Sequence, residues 1–193
     1  MRVFTLCDNE FSRACADLSA QVLESGYRYD LLVGIATGGA IVAREMPAPL
    51  RVEVRRQRPS TRAKQRLAGR LLRHMPRPLS DLLRLAESRL YALMARHHKP
   101  VVPEVTLDEK TLATLGALTG RDGKPRILIV DDAVDSGATM LGVLRAVAAA
   151  APAAEIRTAA ITQTRDNPLI RPDYLHFAER VLVRFPWSAD MQK

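Results

Sequence analysis

The sequence predicts an α/β fold: a mostly parallel central sheet flanked by helices. Three observations carry this expectation. Apolar runs at 30–36 and 127–130 are continuous rather than alternating, as strands buried on both faces are, and 155–162 gives another strand. Helical patterns separate them, so strand, loop and helix recur in that order and the crossovers are right-handed. The turns after the first two runs are rich in Gly, Thr, Ser and Asp, and each opens directly into a helix.

In chain order, residues 2–6 suit a short strand, and Asp8 or Asn9 can cap a helix whose apolar face is Phe11, Cys15, Leu18, Val22 and Leu23. Gly26 stops it. The run 30–36 then turns at Thr37, Gly38 and Gly39 into a helix over 40–46, which Pro47 ends. Residues 50–54 alternate and add a strand beside the second. A helix beginning near 106–109, with acids in its first turn, runs to Leu118 and stops at Gly120. The strand 127–130 ends on Asp131 and Asp132, and an Ala-rich helix spans 140–148.

At 193 residues the chain suits a single domain, 1–193, with a sizeable core. No apolar run approaches the roughly 20 residues that cross a bilayer, and residues 1–8 lack an apolar signal core, so no membrane association and a cytoplasmic location are expected. Cys7 and Cys15 stand in no metal spacing and read as small core residues. The net charge of +8 is concentrated: residues 51–99 hold 14 Lys/Arg against 3 Asp/Glu, leaving 15 basic and 18 acidic residues elsewhere. Within a basic insertion over 55–105, helices are expected at 62–75 and 79–94, the second with Leu82, Leu83 and Leu90 on one face. Nucleic acid could bind residues 55–96, but Tyr91 is the one aromatic there, and the leucine stripe calls for a packing partner, so a structural hairpin is favoured.

The run Ile127-Leu-Ile-Val-Asp-Asp-Ala-Val-Asp-Ser-Gly-Ala-Thr139 carries the chemistry. Two acids stand at a strand's carboxyl end, where open α/β sheets bind ligands. A small-residue turn then opens a helix whose unpaired N–H groups favour an anion. The run resembles the phosphoribosyl pyrophosphate (PRPP) signature of type I phosphoribosyltransferases, nearly residue for residue. That resemblance implies the family's fold, a homo-oligomer and Mg²⁺-dependent transfer of the 5-phosphoribosyl group to a nitrogen base, with release of pyrophosphate. It assigns the ribose hydroxyls and the metal to Asp131 and Asp132. It assigns the 5′-phosphate cradle to Asp135, Ser136, Gly137, Ala138 and Thr139, with Asp135 also a candidate general base.

Thr37, Gly38 and Gly39 resemble the family's pyrophosphate loop, which implies either a cis peptide between Ala36 and Thr37 or a ligand-dependent flip there. Thr37 stands where relatives often carry Lys or Arg, so Arg55, Arg56 or Arg58 is the candidate replacement cation. Residues 163–193 resemble the small C-terminal hood of the 6-oxopurine branch, which points to a purine-like base framed by Gln163, Val181 or Leu182, and Trp187. Gln163 replaces that branch's base-binding Lys, and Val181 or Leu182 replaces its stacking aromatic. These departures favour two rival readings: a PRPP- or nucleotide-sensing regulator that binds RNA through the insertion, and a nucleotide N-glycosidic enzyme that does not use PRPP. The intact PRPP stretch favours the transferase.

Overall fold

A computed structural model describes residues 2–55, 100–120, 123–179 and 181–188. The basic segment 56–99, with its expected helical hairpin, lies outside the described residues.

The apolar runs become the middle of a parallel five-stranded sheet. In chain order the elements are β1 (Arg2–Thr5), α1 (Asp8–Glu24), β2 (Leu31–Ala36), α2 (Gly38–Glu45), β3 (Leu50–Arg55), α3 (Glu109–Thr119), β4 (Arg126–Val134), α4 (Ala138–Ala150), β5 (Glu155–Gln163), β6 (Tyr174–Leu175) and β7 (Val181–Arg184). The sheet order is β3-β2-β4-β5-β6, and every pairing is parallel. β1 and β7 form a separate two-stranded parallel pair.

Alternate residues of β2, β4 and β5 feed two different cores, which explains why their sequences are apolar throughout. Leu32, Leu128, Val130 and Ile161 pack with α1, α2 and β7. Leu31, Val33, Ile127 and Ile129 pack on the other face with Leu115 of α3 and Met140, Val143 and Val147 of α4. Among the described residues, no helix is long and apolar enough to cross a membrane.

Several boundaries differ from the sequence expectation, each for a local reason. α1 is capped by Cys7 rather than Asp8 or Asn9, because the Glu10 carboxylate accepts the Cys7 amide at 2.8 Å and moves the start forward. Leu23 is 40% exposed, since one residue past Val22 the helix has turned about 100° away from the core. Cys7 is exposed and only Cys15 is buried, its thiol pushed up to about 12 by that burial. β4 runs on through both acids to Val134, because β5 keeps pace with it to the pair Val134 and Gln163. α2 starts at Gly38, so both glycines of the expected turn are helical, and α4 starts at Ala138.

At the amino ends of the strands, polar groups staple the layers together. The Tyr27 hydroxyl lies 2.9 Å from the Ile127 carbonyl and 2.8 Å from that of Glu155, bridging β4 and β5 from the end of α1. Burial, the leading cause, pushes its phenol above the ordinary tyrosine range, and the Arg157 guanidinium lies over its ring at 4.6 Å. Asp30 accepts the Arg126 amide at 2.8 Å and returns its own N–H to the Arg126 carbonyl. These contacts fix the sheet at the end opposite the acids. Tyr27→Phe removes a buried donor shared by two strand carbonyls and is expected to cost about 1–3 kcal/mol. In a thermal melt that corresponds to a fall of roughly 2–12 °C for a chain of this size; an unchanged melting temperature would count against the staple.

Candidate active site

The site is built at the carboxyl end of β4, and its starting point is a close approach of backbones. A Cβ on Gly39 would lie 2.4 Å from the Val130 carbonyl oxygen and 2.7 Å from the Asp131 Cα, and one on Gly38 would lie 2.0 Å from the Asp132 carboxylate. The first turn of α2 therefore rests directly on the two acids, at a separation that admits no side chain. The peptide between Ala36 and Thr37, immediately before this turn, is cis, the first of the two outcomes the resemblance implied.

The half-buried Asp131 and Asp132 each accept a backbone amide at 2.9 Å, Asp131 from Asp132 and Asp132 from Ala133. Neither forms an ion pair among the described residues. Burial pushes the Asp131 carboxyl well above the ordinary carboxylate range, and the charge of Asp132 adds to the effect. A hydrogen bond between the carboxyls favours the proton on Asp131, opposed by backbone amides, including that of Gly39. Asp132 is also raised by burial, with hydrogen bonds from Asp131, the Ala133 amide and the Trp187 side chain working against it. Two adjacent acids held this way have a strong electrostatic demand for a cation or for hydroxyl donors.

The second half of the site is the turn 135–137 and the start of α4. Gly137 adopts φ +74°, which a side chain disfavours, and its missing Cβ also leaves room for Ile170, whose backbone N and O would each lie 2.9 Å away. The Ser136 carbonyl accepts the Leu169 amide at 2.8 Å, and its hydroxyl oxygen accepts the Ala138 amide at 3.3 Å. Ala138 and Thr139 supply the first turn of α4, where backbone N–H groups and the helix dipole attract an anion.

Two residues absent from the sequence expectation join the site here. Thr164 Oγ1 and Arg165 Nε both donate to Asp135 Oδ1, at 2.9 and 2.8 Å. No spacing rule points to them, because the loop after β5 meets the loop after β4 only once the strands are in register. The structure thus brings 37–39, 131–132 and 135–139 to one edge, with Gln163 at the end of the neighbouring strand.

The remaining expected residues fall as follows. Val181 is buried, and its carbonyl accepts the Thr162 hydroxyl at 2.9 Å, whereas Leu182 is half-buried on the alternate side. Trp187 stacks on Phe185 at 4.8 Å and meets Phe11 edge-on at 5.0 Å, which ties it to the α1 side of the core while its indole lies beside Asp132. Arg55 is opposite Ala36 in register, exposed and paired with Glu53 at 3.1 Å; Arg56 and Arg58 lie outside the described residues.

Comparison with known proteins agrees with this geometry. No curated protein matches the chain in sequence. In fold it is similar to a purine phosphoribosyltransferase from Pyrococcus horikoshii, at 20% identity and TM-score 0.56, with 97% of this chain and 95% of that one covered. It is also similar to the Helicobacter pylori xanthine-guanine-hypoxanthine phosphoribosyltransferase, at 14% identity and TM-score 0.55, covering 99% and 97%. A Neisseria gonorrhoeae protein whose crystal structure holds ppGpp matches at 16% identity and TM-score 0.60, covering 98% and 92%. At these identities the likeness is one of fold. The sequence model of the phosphoribosyl transferase domain matches residues 8–174, which contain both glycine turns and both acids, and the chain therefore belongs to the type I phosphoribosyltransferase family.

Proposed function

We propose that this phosphoribosyltransferase moves the 5-phosphoribosyl group from PRPP to a purine-like nitrogen base, with Mg²⁺, and releases pyrophosphate. The observation that carries the reading is the half-buried acid pair pressed against the glycine turn of α2 and followed by a turn that opens a helix. Asp131 and Asp132 would accept the two ribose hydroxyls and hold the cation. The donor set fits Mg²⁺, which takes hard oxygens, commonly one or two carboxylates completed by substrate phosphate oxygens. Substrate phosphate oxygens would complete its shell. When bound, Mg²⁺ neutralises charge that builds on the leaving pyrophosphate.

The chain's own residues do the rest. Residues 135–139 grip the 5′-phosphate through N–H and hydroxyl donors, and Thr37, Gly38 and Gly39 present backbone to the pyrophosphate. With both ends held, the base nitrogen approaches the anomeric carbon along one line. Its lone pair forms the new N–C bond, and the C–O bond to pyrophosphate breaks with its electron pair leaving on oxygen. The anionic pair beneath the ring stabilises positive charge on the ribose as that bond loosens. Asp135 takes the base's N–H proton on Oδ2, since Oδ1 is already engaged by Thr164 and Arg165. Leu182 and Trp187 frame the base. The names of the archaeal and Helicobacter fold neighbours favour a purine acceptor. Pyrophosphate release from PRPP and Mg²⁺ across a panel of purines and pyrimidines tests the reading: release with at least one purine is expected, and release with none would overturn it.

Two further outcomes follow from the raised acids. Because the folded protein holds the Asp131 proton more tightly than the unfolded chain does, that carboxyl favours folding at pH below the ordinary carboxylate range. The contribution is lost as pH rises through the raised folded value. Asp131→Asn should therefore melt no lower than wild type at neutral pH, with its relative advantage shrinking in acid, while Asp131→Asn with Asp132→Asn binds PRPP about tenfold more weakly or worse. A double variant that melts far below wild type, or binds PRPP equally well, would be inconsistent with ligand-facing acids. Cation binding requires the ionised pair, so Mg²⁺-dependent PRPP affinity should rise with pH through the raised value and release protons. Calorimetry in buffers of different ionisation enthalpy measures that release, and a buffer-independent heat would argue against it.

A further inference from the structure

We infer that Arg165 neutralises Asp135 and so allows the turn 135–139 to take a dianionic phosphate, as a positioning residue that acts on the phosphate through the acid. The inference rests on the transferase reading and adds a residue to its phosphate end.

The turn needs such a partner on grounds of charge. Residues 135–139 hold one carboxylate, Asp135, and no Lys or Arg. Two more carboxylates, Asp131 and Asp132, stand just before it on β4. The backbone N–H groups that open α4 supply only partial positive charge, about half an elementary charge for a whole helix terminus. A phosphate monoester carries about 1.5–2 negative charges at neutral pH. An uncompensated acid at the first residue of the turn therefore works against the anion that the rest of the turn attracts.

Arg165 offsets that acid, and the fold holds it in place. Its Nε donates to Asp135 Oδ1 at 2.8 Å, and the Thr164 hydroxyl donates to the same oxygen at 2.9 Å. An ion pair between two exposed, freely rotating side chains would contribute little. This one differs because the loop that carries Arg165 is tied to the turn by its backbone. The Thr164 amide donates to the Val134 carbonyl at 2.9 Å, and the Leu169 amide donates to the Ser136 carbonyl at 2.8 Å. Ile170 lies against Gly137, where a Cβ would meet its backbone N and O at 2.9 Å. The Gln163 side-chain nitrogen donates to the Arg165 carbonyl at 2.6 Å, which fixes the loop at Arg165 itself. The Arg165 side chain is 25% exposed against 60% for Asp135, so the cation is the more enclosed partner and the acid the more open one. The guanidinium is thus ordered before any ligand arrives, and little further entropy is lost when one binds.

Equilibrium binding of ribose 5-phosphate, measured by calorimetry on the full-length protein, decides this without turnover. Arg165→Gln is expected to weaken binding about tenfold, the scale of one charge interaction near a protein surface. Asp135→Asn alone should bind at least as tightly as wild type. The double variant, Arg165→Gln with Asp135→Asn, should return to within about twofold of wild type, since without the acid there is nothing left to offset. Arg165→Lys, which keeps the charge and loses the planar guanidinium, should recover part of the loss; melting curves verify that each variant is folded. Wild-type affinity in Arg165→Gln overturns the inference. So does a double variant as weak as Arg165→Gln, the result expected if the arginine touched the phosphate itself or merely shaped the loop. Either result leaves the transferase reading standing, provided that the wild type binds ribose 5-phosphate. A wild type that binds neither ribose 5-phosphate nor PRPP refutes that reading, and the inference with it.

Discussion

The interaction on which the rest of the structure depends is the contact between the first turn of α2 and the end of β4. Two carboxylates are drawn out of water at a strand end, and a helix amino terminus is set on them through glycines that leave no room for a Cβ. Burial alone disfavours such a pair. What keeps the acids in place is the backbone around them: the Gly39, Asp132 and Ala133 amides, and the extension of β4 beside β5. On the proposed function, a polyanionic, cation-bearing ligand turns the same unfavourable burial into affinity, since charges in a low-dielectric site interact more strongly than in water. The cost in the free protein and the attraction in the complex are two sides of one arrangement.

The two-sided sheet makes that arrangement possible. With α1 and α2 on one face and α3 and α4 on the other, β2 and β4 are clamped from both sides. Their carboxyl ends can then carry polar groups without loosening the layers. The staples lie at the opposite edge, where Tyr27, Asp30 and Arg126 join α1, β2, β4 and β5. On the far side of β5, Asp173 accepts both the amide and the hydroxyl of Thr158, at 2.7 and 2.8 Å, which seats β6. Stability and chemistry occupy different ends of the same strands.

Much of this was legible in the sequence, and the reason is that it is local. Unbroken apolar runs announced the buried strands, and the succession of acid, acid, small turn and helix announced the ligand edge, because each of those constraints acts within about ten residues of chain. The glycines at 38 and 39 could be read as a ligand turn, but their helical conformation could not, since it is imposed by Asp131 and Asp132 more than 90 residues later. The donors on Asp135 were hidden for the same reason: Thr164 and Arg165 reach it only through the register of β4 and β5. Cys7 was misread as a core residue because the capping role of Glu10 shifts the start of α1 by one position. Where tertiary contact decides, a pattern read along one chain has nothing to report.

The missing Cβ at Gly39 has a further consequence, for how such a protein can change over time. Any side chain there must push apart a helix and a strand that are both packed against other layers, so the backbone at this edge of the candidate site has essentially one solution. On the proposed function the base falls to Gln163, Leu182 and Trp187, at the end of β5, on β7 and just beyond it. On that reading, a change of acceptor is a change of side chains on that side alone, while the donor half stays fixed. The fold separates what is inherited from what can be revised.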